Sequence, residues 1–170
     1  MLLAGASFWS FSIARGLRQA GKEGHRPWFA LGLVIAFVCI DELCHVHETL
    51  DWILKTRLET SGAIAWPWVI PYAVLALTAA AYFLPFYLKL DRRYQWIFGL
   101  AGVLYVSGAI GLEMAEAAVT EKHGEGLLLY GILYTIEENL EILAVLLTNW
   151  GMTDYLIRHC GGHALTLKVS

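Results

Sequence analysis

Residues 28–50 decide the fold, and they read WFALGLVIAFVCIDELCHVHETL. The first thirteen of them are apolar or glycine, and the whole stretch contains no lysine or arginine. An α-helix rises about 1.5 Å per residue, so the segment is long enough to cross the roughly 30 Å hydrocarbon core of a bilayer. It therefore predicts a transmembrane helix that carries three acidic residues and two histidines in its second half.

Three further segments have the same apolar character, and they cover residues 68–88, 96–119 and 127–150. The apolar stretch at the amino terminus is shorter, but we expect its helix to cross as well, over residues 2–19. The chain is 58% hydrophobic and only 16% charged, whereas a soluble domain carries about 25% charged residues. The sequence thus predicts an all-α fold: one integral membrane bundle of about five transmembrane helices, with residues 151–170 as a tail.

Basic residues alternate between the predicted loops. Residues 15–26 contain four lysines and arginines, residues 89–93 contain three and the tail contains two, whereas the other two loops contain only two and one. Because cytoplasmic loops are enriched in Lys and Arg, this pattern predicts an outside amino terminus and a cytoplasmic carboxyl terminus. The expected partner is the lipid bilayer, and the formal net charge of −3 gives no indication of nucleic-acid binding.

Acidic residues are unusually frequent within the predicted spans. Three of the spans hold eight of them and no Lys or Arg; they are Asp41, Glu42, Glu48, Glu113, Glu116, Glu137, Glu138 and Glu141. An acid near the bilayer centre costs about 2.5 kcal/mol or more. Acids in this number need protons, a shared cation or a wet cavity.

The spacing of these residues indicates a metal site. Glu42, Glu113 and Glu138 each have a second ligand type three residues later, on the same helical face. Di-iron and di-manganese bundles use such pairs, although they usually carry two Glu-x-x-His pairs and only one is present here. Oxygen ligands with some imidazole suit iron or manganese, and zinc also fits. The predicted ligands are Glu42, His45, His47, Glu113, Glu138 and Glu141, and the further candidates are Asp41, Glu48, Glu116, Glu137 and Tyr134.

Helical periodicity favours one histidine over the other. On a regular helix Asp41, His45 and Glu48 lie within about 60° of one another, and His47 points away. Simpler interpretations also exist for several candidates, because an acid near a helix end, such as Glu48 or Glu116, often reaches interfacial water. Four glycines in 96–119 should let a neighbouring helix approach closely. The helix at 68–88 has no acid and is expected to be packing scaffold.

The string Asp41-Glu42-x4-His47-Glu48, followed by Glu113 and then Glu137-Glu138-x2-Glu141, resembles a group of uncharacterised bacterial multi-pass membrane proteins. The resemblance implies a helical fold in a bacterial inner membrane, but it implies no activity. It carries its histidine at the His47 position, so the choice between His45 and His47 stays open.

Three functions are consistent with this pattern. The first is a dinuclear iron or manganese site for metal handling, or for redox chemistry on a lipophilic substrate such as a quinone or a lipid. The second is a proton or cation pathway along the intramembrane acids. The third is a non-catalytic subunit whose acids pair with basic residues of another membrane chain.

Overall fold

The computed structural model describes residues 1–124 and 126–160. These residues form helices and no strand, which confirms the all-α prediction. The α-helices are α1 (Leu2–Gln19), α2 (His25–Cys44), α3 (Val46–Lys55), α4 (Val69–Tyr87), α5 (Arg92–Val106), α6 (Glu113–His123) and α7 (Leu128–Cys160). A 3-10 turn lies at Gly62–Ile64, and a π-helical segment at Ser107–Leu112 joins α5 to α6.

Within residues 1–124 and 126–160, three helical stretches are long and apolar enough to cross a membrane: His25–Cys44, Val69–Tyr87 and Arg92–His123. Large apolar side chains on these stretches are exposed, among them Leu77 at 71% and Trp96 at 77%. An extended apolar surface of this kind suits contact with lipid. The α7 helix is not among the three, because its three glutamates lower its hydropathy.

The predicted tail begins as helix. The α7 helix continues through residues 151–160, ten residues beyond the predicted end of the last span. Residues 161–170, which include Lys168, lie outside the described part of the chain.

The chain divides into two compact units. The first contains Met1–Ile40, Phe83–Ala101 and the described residues from Val145 onward, and the second contains Asp41–Tyr82 and Gly102–Ala144. The first unit has an apolar core that includes Ile13, Trp28, Met152 and Leu156. Of the described acidic residues, eleven belong to the second unit and three to the first. Every predicted metal ligand therefore lies in the second unit.

The helix predicted over residues 28–50 is interrupted at His45. This residue has φ 51° and ψ 45°, so α2 ends at Cys44 and α3 begins at Val46. A left-handed residue other than glycine costs about 1–2 kcal/mol, and it redirects the chain that follows. Asp41 supports the break, because its Oδ1 accepts a hydrogen bond from the His47 backbone N–H at 2.9 Å, as an N-cap side chain does. The assumption of one regular helix was wrong.

The π-helical segment ends immediately before Glu113. It shifts the angular position of every residue that follows, and such segments occur frequently at functional sites. Within it, Gly108 meets α7: a Cβ built on this glycine would lie 3.1 Å from Cγ of Glu141 and 3.3 Å from the backbone oxygen of Glu137. The predicted close approach therefore occurs at Gly108, whereas a Cβ at Gly102 meets open space.

We expect Gly108→Ala to lower the stability of the protein and Gly102→Ala to preserve or slightly raise it. Alanine gains about 1 kcal/mol over glycine in a helix, but overpacking against a neighbouring backbone costs about 1–3 kcal/mol. Thermal unfolding of both variants in detergent measures the difference. Equal unfolding midpoints for the two variants would show that α7 does not constrain Gly108.

Candidate functional site

A buried carboxylate organises the residues around the break at His45. Asp41 is 4% exposed, and its Oδ1 accepts hydrogen bonds from the His47 backbone at 2.9 Å and from the Tyr72 hydroxyl at 2.6 Å. Its Oδ2 lies 2.9 Å from Nδ1 of His47. Three donors thus satisfy a carboxylate that has no Lys or Arg partner among the described residues.

This arrangement orients the imidazole of His47. A proton on Nδ1 is held by Asp41, which leaves Nε2 as the nitrogen able to bind a metal ion. Aromatic rings fix the plane of the imidazole, with the Trp68 centroid at 4.9 Å and the Tyr72 centroid at 6.4 Å. A histidine that donates its second ring N–H to a carboxylate is the usual form of a metal-ligating histidine.

His45 has different surroundings. Its Nδ1 lies 2.8 Å from Oε1 of Glu48, and both side chains are 66% exposed. The predicted stripe of Asp41, His45 and Glu48 does not form, because the left-handed residue turns α3 and brings His47 to Asp41 instead.

Glu42 lies at the centre of one group of charges. The charges of His47, Asp41, Glu138 and His45 all act on its carboxyl group. The carboxyl group of Glu141 also interacts electrostatically with those of Glu42 and Glu138. On α7 the hydroxyl of Tyr134 donates to Oε1 of Glu138 at 2.8 Å. Four predicted ligands, namely Glu42, His47, Glu138 and Glu141, therefore share one electrostatic neighbourhood.

A second group surrounds Glu116, which is 2% exposed. Its carboxyl group interacts with that of Glu137. Glu113 interacts electrostatically with Glu116, Glu141 and Asp51, so it connects this group to the first one.

The chemical types of these side chains suit a metal ion, but their positions in the structure do not yet form a coordination site. Carboxylate oxygens and an oriented imidazole suit iron or manganese. Across residues 1–124 and 126–160, however, no three His, Cys, Asp or Glu side chains converge closely enough to hold a metal ion. Glu42 and Glu138 are exposed in the isolated chain, so both side chains have room to reorient around an ion.

Sequence reasoning missed the contributions of α3 and α4. The helix predicted over residues 68–88 was expected to be scaffold, but Tyr72 of α4 donates to Asp41, and Trp68, which immediately precedes α4, packs against His47. Trp68 and Tyr72 are one helical turn apart, which is the only signal in the sequence that they share a face. Asp51 of α3 was also missed, since it follows the predicted end of its span.

The fold and the site define an all-helical protein with membrane-capable helices and one acid-rich unit. Residues 1–153 match the model of a family described as a domain of unknown function, DUF8692, and the chain belongs to that family. No curated protein and no solved structure matches the chain.

Proposed function

We propose that the second unit binds a divalent transition metal, iron or manganese, through Glu42, His47, Glu138 and Glu141. The observation that supports this most directly is the buried Asp41, which holds the imidazole of His47 by Nδ1. That pairing costs conformational freedom and stabilises one ring orientation, which a packing histidine does not require.

Charge balance supports the same proposal. The second unit has eleven described acidic residues, against three described basic ones: Lys55, Arg57 and Lys122. Lys55 is already paired with Asp51 at 2.6 Å. A bound divalent cation would offset the mutual repulsion of the carboxylates that remain without a basic partner.

Two other predicted ligands, Glu113 and His45, have secondary roles in this proposal. Glu113 would contribute to a second metal ion, and its electrostatic interactions with Glu141 and Glu116 support this role. His45 is an alternative ligand, since its Nδ1 also lies beside a carboxylate, that of Glu48, but both of these side chains are exposed. When bound, the metal would supply Lewis-acid or redox chemistry, and the exposed apolar surface suits a lipophilic substrate such as a quinone or a lipid.

The proposed setting is a bacterial inner membrane with five spans, an outside amino terminus and a cytoplasmic carboxyl terminus. We expect reporters fused after Lys89 and after Ser170 to be cytoplasmic, and a reporter inserted between residues 56 and 61 to be outside, because the basic residues alternate in this way. Topology mapping with paired reporters measures it. A reporter after Ser170 that lies outside would contradict the arrangement.

A proton or cation pathway is the second candidate function. Two observations favour it: the interaction of the buried Glu116 with Glu137, and the absence of three converging ligands in the described residues. A third candidate, a subunit of a larger membrane complex, is favoured by the exposure of Glu42 and Glu138, which a partner chain could cover. Metal analysis of the detergent-purified protein separates the first proposal from both.

A further inference from the structure

Basic residues dominate the charge of the first unit. Its described part contains eight Lys and Arg residues and only three acidic ones. All eight basic side chains are exposed. They are Arg15, Arg18, Lys22, Arg26, Lys89, Arg92, Arg93 and Arg158. This excess is the opposite of the one in the acid-rich second unit, and the proposed metal site makes no use of it.

Side-chain contacts bring together the three segments that carry these residues. Nζ of Lys22 donates to the backbone oxygen of His159 at 2.9 Å, which joins the connection after α1 to the end of α7. Nε2 of His159 lies 3.2 Å from Oδ2 of Asp91, the residue directly before α5. Nε of Arg93, on α5, lies 3.2 Å from Oδ2 of Asp154, on α7. The three segments therefore meet at one end of the unit, the basic end.

The acidic residues of the basic end occupy few of its cations. Asp154 pairs with Arg93 and Arg158, and Asp91 faces His159. Five of the basic side chains form no ion pair or hydrogen bond with the part of the chain that the structure describes; they are Arg15, Arg18, Arg26, Lys89 and Arg92. Exposed charges of one sign attract a partner of the opposite sign. The basic end therefore suits an anionic partner.

One face of α5 combines such a charge with apolar surface. Arg92, Trp96 and Leu100 follow one another at intervals of four residues, so they lie on the same face of the helix. Trp96 is 77% exposed and Leu100 is 52% exposed. The face extends about 12 Å along the helix axis. A cation, an amphipathic ring and an aliphatic side chain in this order match the head group, the interface and the acyl chain of a phospholipid.

A second exposed tryptophan lies at the level of the first turn of α5. The guanidinium of Arg93 is 5.5 Å from the ring centroid of Trp150, on α7, and Trp150 is 54% exposed. Tryptophan is enriched at the level of the lipid head groups in membrane proteins. Exposed tryptophans beside arginines therefore favour a lipid over an acidic protein segment as the anionic partner.

Lys89 lies close to the first turn of α5. Nε2 of Gln95 donates to the backbone oxygens of Leu88 and Leu90, at 3.1 and 2.9 Å, and so holds the chain around Lys89 against the start of the helix. Lys89 and Arg92 are both unpaired within the described residues. A single phosphate group can therefore meet both cations.

We propose that the basic end binds an anionic phospholipid, with its phosphate against Lys89 and Arg92 and an acyl chain along Trp96 and Leu100. Clusters of Lys and Arg at the cytoplasmic ends of membrane helices attract anionic head groups. The guanidinium of Arg92 adds the fork of donors that binds phosphate oxygens in pairs. The inference rests on the membrane setting proposed above and is independent of the metal site, because none of the proposed metal ligands belongs to the first unit.

The test measures lipid binding to the purified full-length protein in detergent. Phosphatidylglycerol and phosphatidylcholine with the same brominated acyl chains are titrated, and quenching of tryptophan fluorescence is recorded. Both lipids carry a phosphate, but only phosphatidylglycerol has a net negative charge. Arg92→Gln removes one cation, and Arg92→Lys keeps it. Arg57→Gln is the matched control, because Arg57 is an exposed arginine of the second unit without an ion pair to the described residues.

We expect phosphatidylglycerol to quench the wild type at a lower mole fraction than phosphatidylcholine. Arg92→Gln should lower the apparent affinity for phosphatidylglycerol about fivefold, the effect of one basic residue near an anionic surface. Arg92→Lys and Arg57→Gln should bind as the wild type does, and Trp96→Phe should lose part of the quenched fluorescence. Metal content should be unchanged in Arg92→Gln, so failure of lipid binding and failure of the metal site are distinguishable.

Three results would overturn the proposal. The first is equal quenching of the wild type by the two lipids. The second is an equal loss of affinity in Arg92→Gln and Arg57→Gln, which would show a general attraction rather than a site on α5. The third is displacement of phosphatidylglycerol by inorganic phosphate but not by chloride at the same ionic strength, which would make the basic end a site for a free anion.

Discussion

His47→Ala should reduce the bound transition metal at least tenfold, whereas His45→Ala should leave most of it in place. The imidazole of His47 is held by Asp41 and by the rings of Trp68 and Tyr72, and its Nε2 is the nitrogen able to bind a metal. His45 pairs with the exposed Glu48 at the surface. Metal content per chain, measured by elemental analysis after gentle purification in detergent, gives the comparison.

The control for this experiment is the helical content of the two variants. Both variants should retain the helical circular dichroism of the wild type, because neither side chain lies in the apolar core of the first unit. If His45→Ala removes the metal and His47→Ala does not, the Asp41–His47 pair is purely structural. The metal ligand is then His45 rather than His47.

The second large effect is expected at Asp41. Asp41→Asn replaces an acceptor of three hydrogen bonds by a neutral amide, which cannot accept from both the His47 ring and Tyr72 as strongly. Hydrogen bonds to a charged group each contribute about 1.5–3 kcal/mol, so we expect a loss of at least about 3 kcal/mol in the free energy of unfolding. Metal affinity should also fall about 10–100-fold, since loss of the partner of a ligating histidine has effects of this size. Chemical or thermal unfolding and metal titration of the same preparation measure both quantities.

Tyr72→Phe is the matched variant for Asp41→Asn. It removes one donor from Asp41 and keeps the aromatic ring against His47 and Trp68. We expect a loss of about 1.5–3 kcal/mol, the contribution of one hydrogen bond to a charged group, with little change in metal content. Equal effects of the two variants would show that Asp41 acts through Tyr72 rather than through His47.

Hydropathy was sufficient to predict the helical class of the fold, because long apolar runs without basic residues have few alternatives. It could not predict the break at His45. Residues 28–50 follow the pattern of an uninterrupted helix, and a histidine in the left-handed region leaves no signature in composition. The hydropathy pattern likewise gives no sign of the π-helical segment before Glu113.

The acidic residues of the candidate site stand out in the sequence because an acid within a membrane span is costly, and each one therefore requires an explanation. Their partners could not. The hydrogen bond between Tyr72 and Asp41 joins residues 31 positions apart, and the pair of Glu116 and Glu137 joins two helices. Helical periodicity relates residues three or four positions apart, so contacts of this kind require the three-dimensional structure.

The metal content of the wild-type protein tests the central claim most directly. Purified gently in detergent, the protein should carry about one to two equivalents of iron or manganese per chain, because the carboxylates and His47 suit up to two ions. Glu138→Gln keeps the acceptor for Tyr134 but removes a charge, so it should lower this content sharply, while Glu121→Gln should not. A wild-type protein that contains no metal and takes up no iron, manganese or zinc would contradict the metal site and favour the proton pathway.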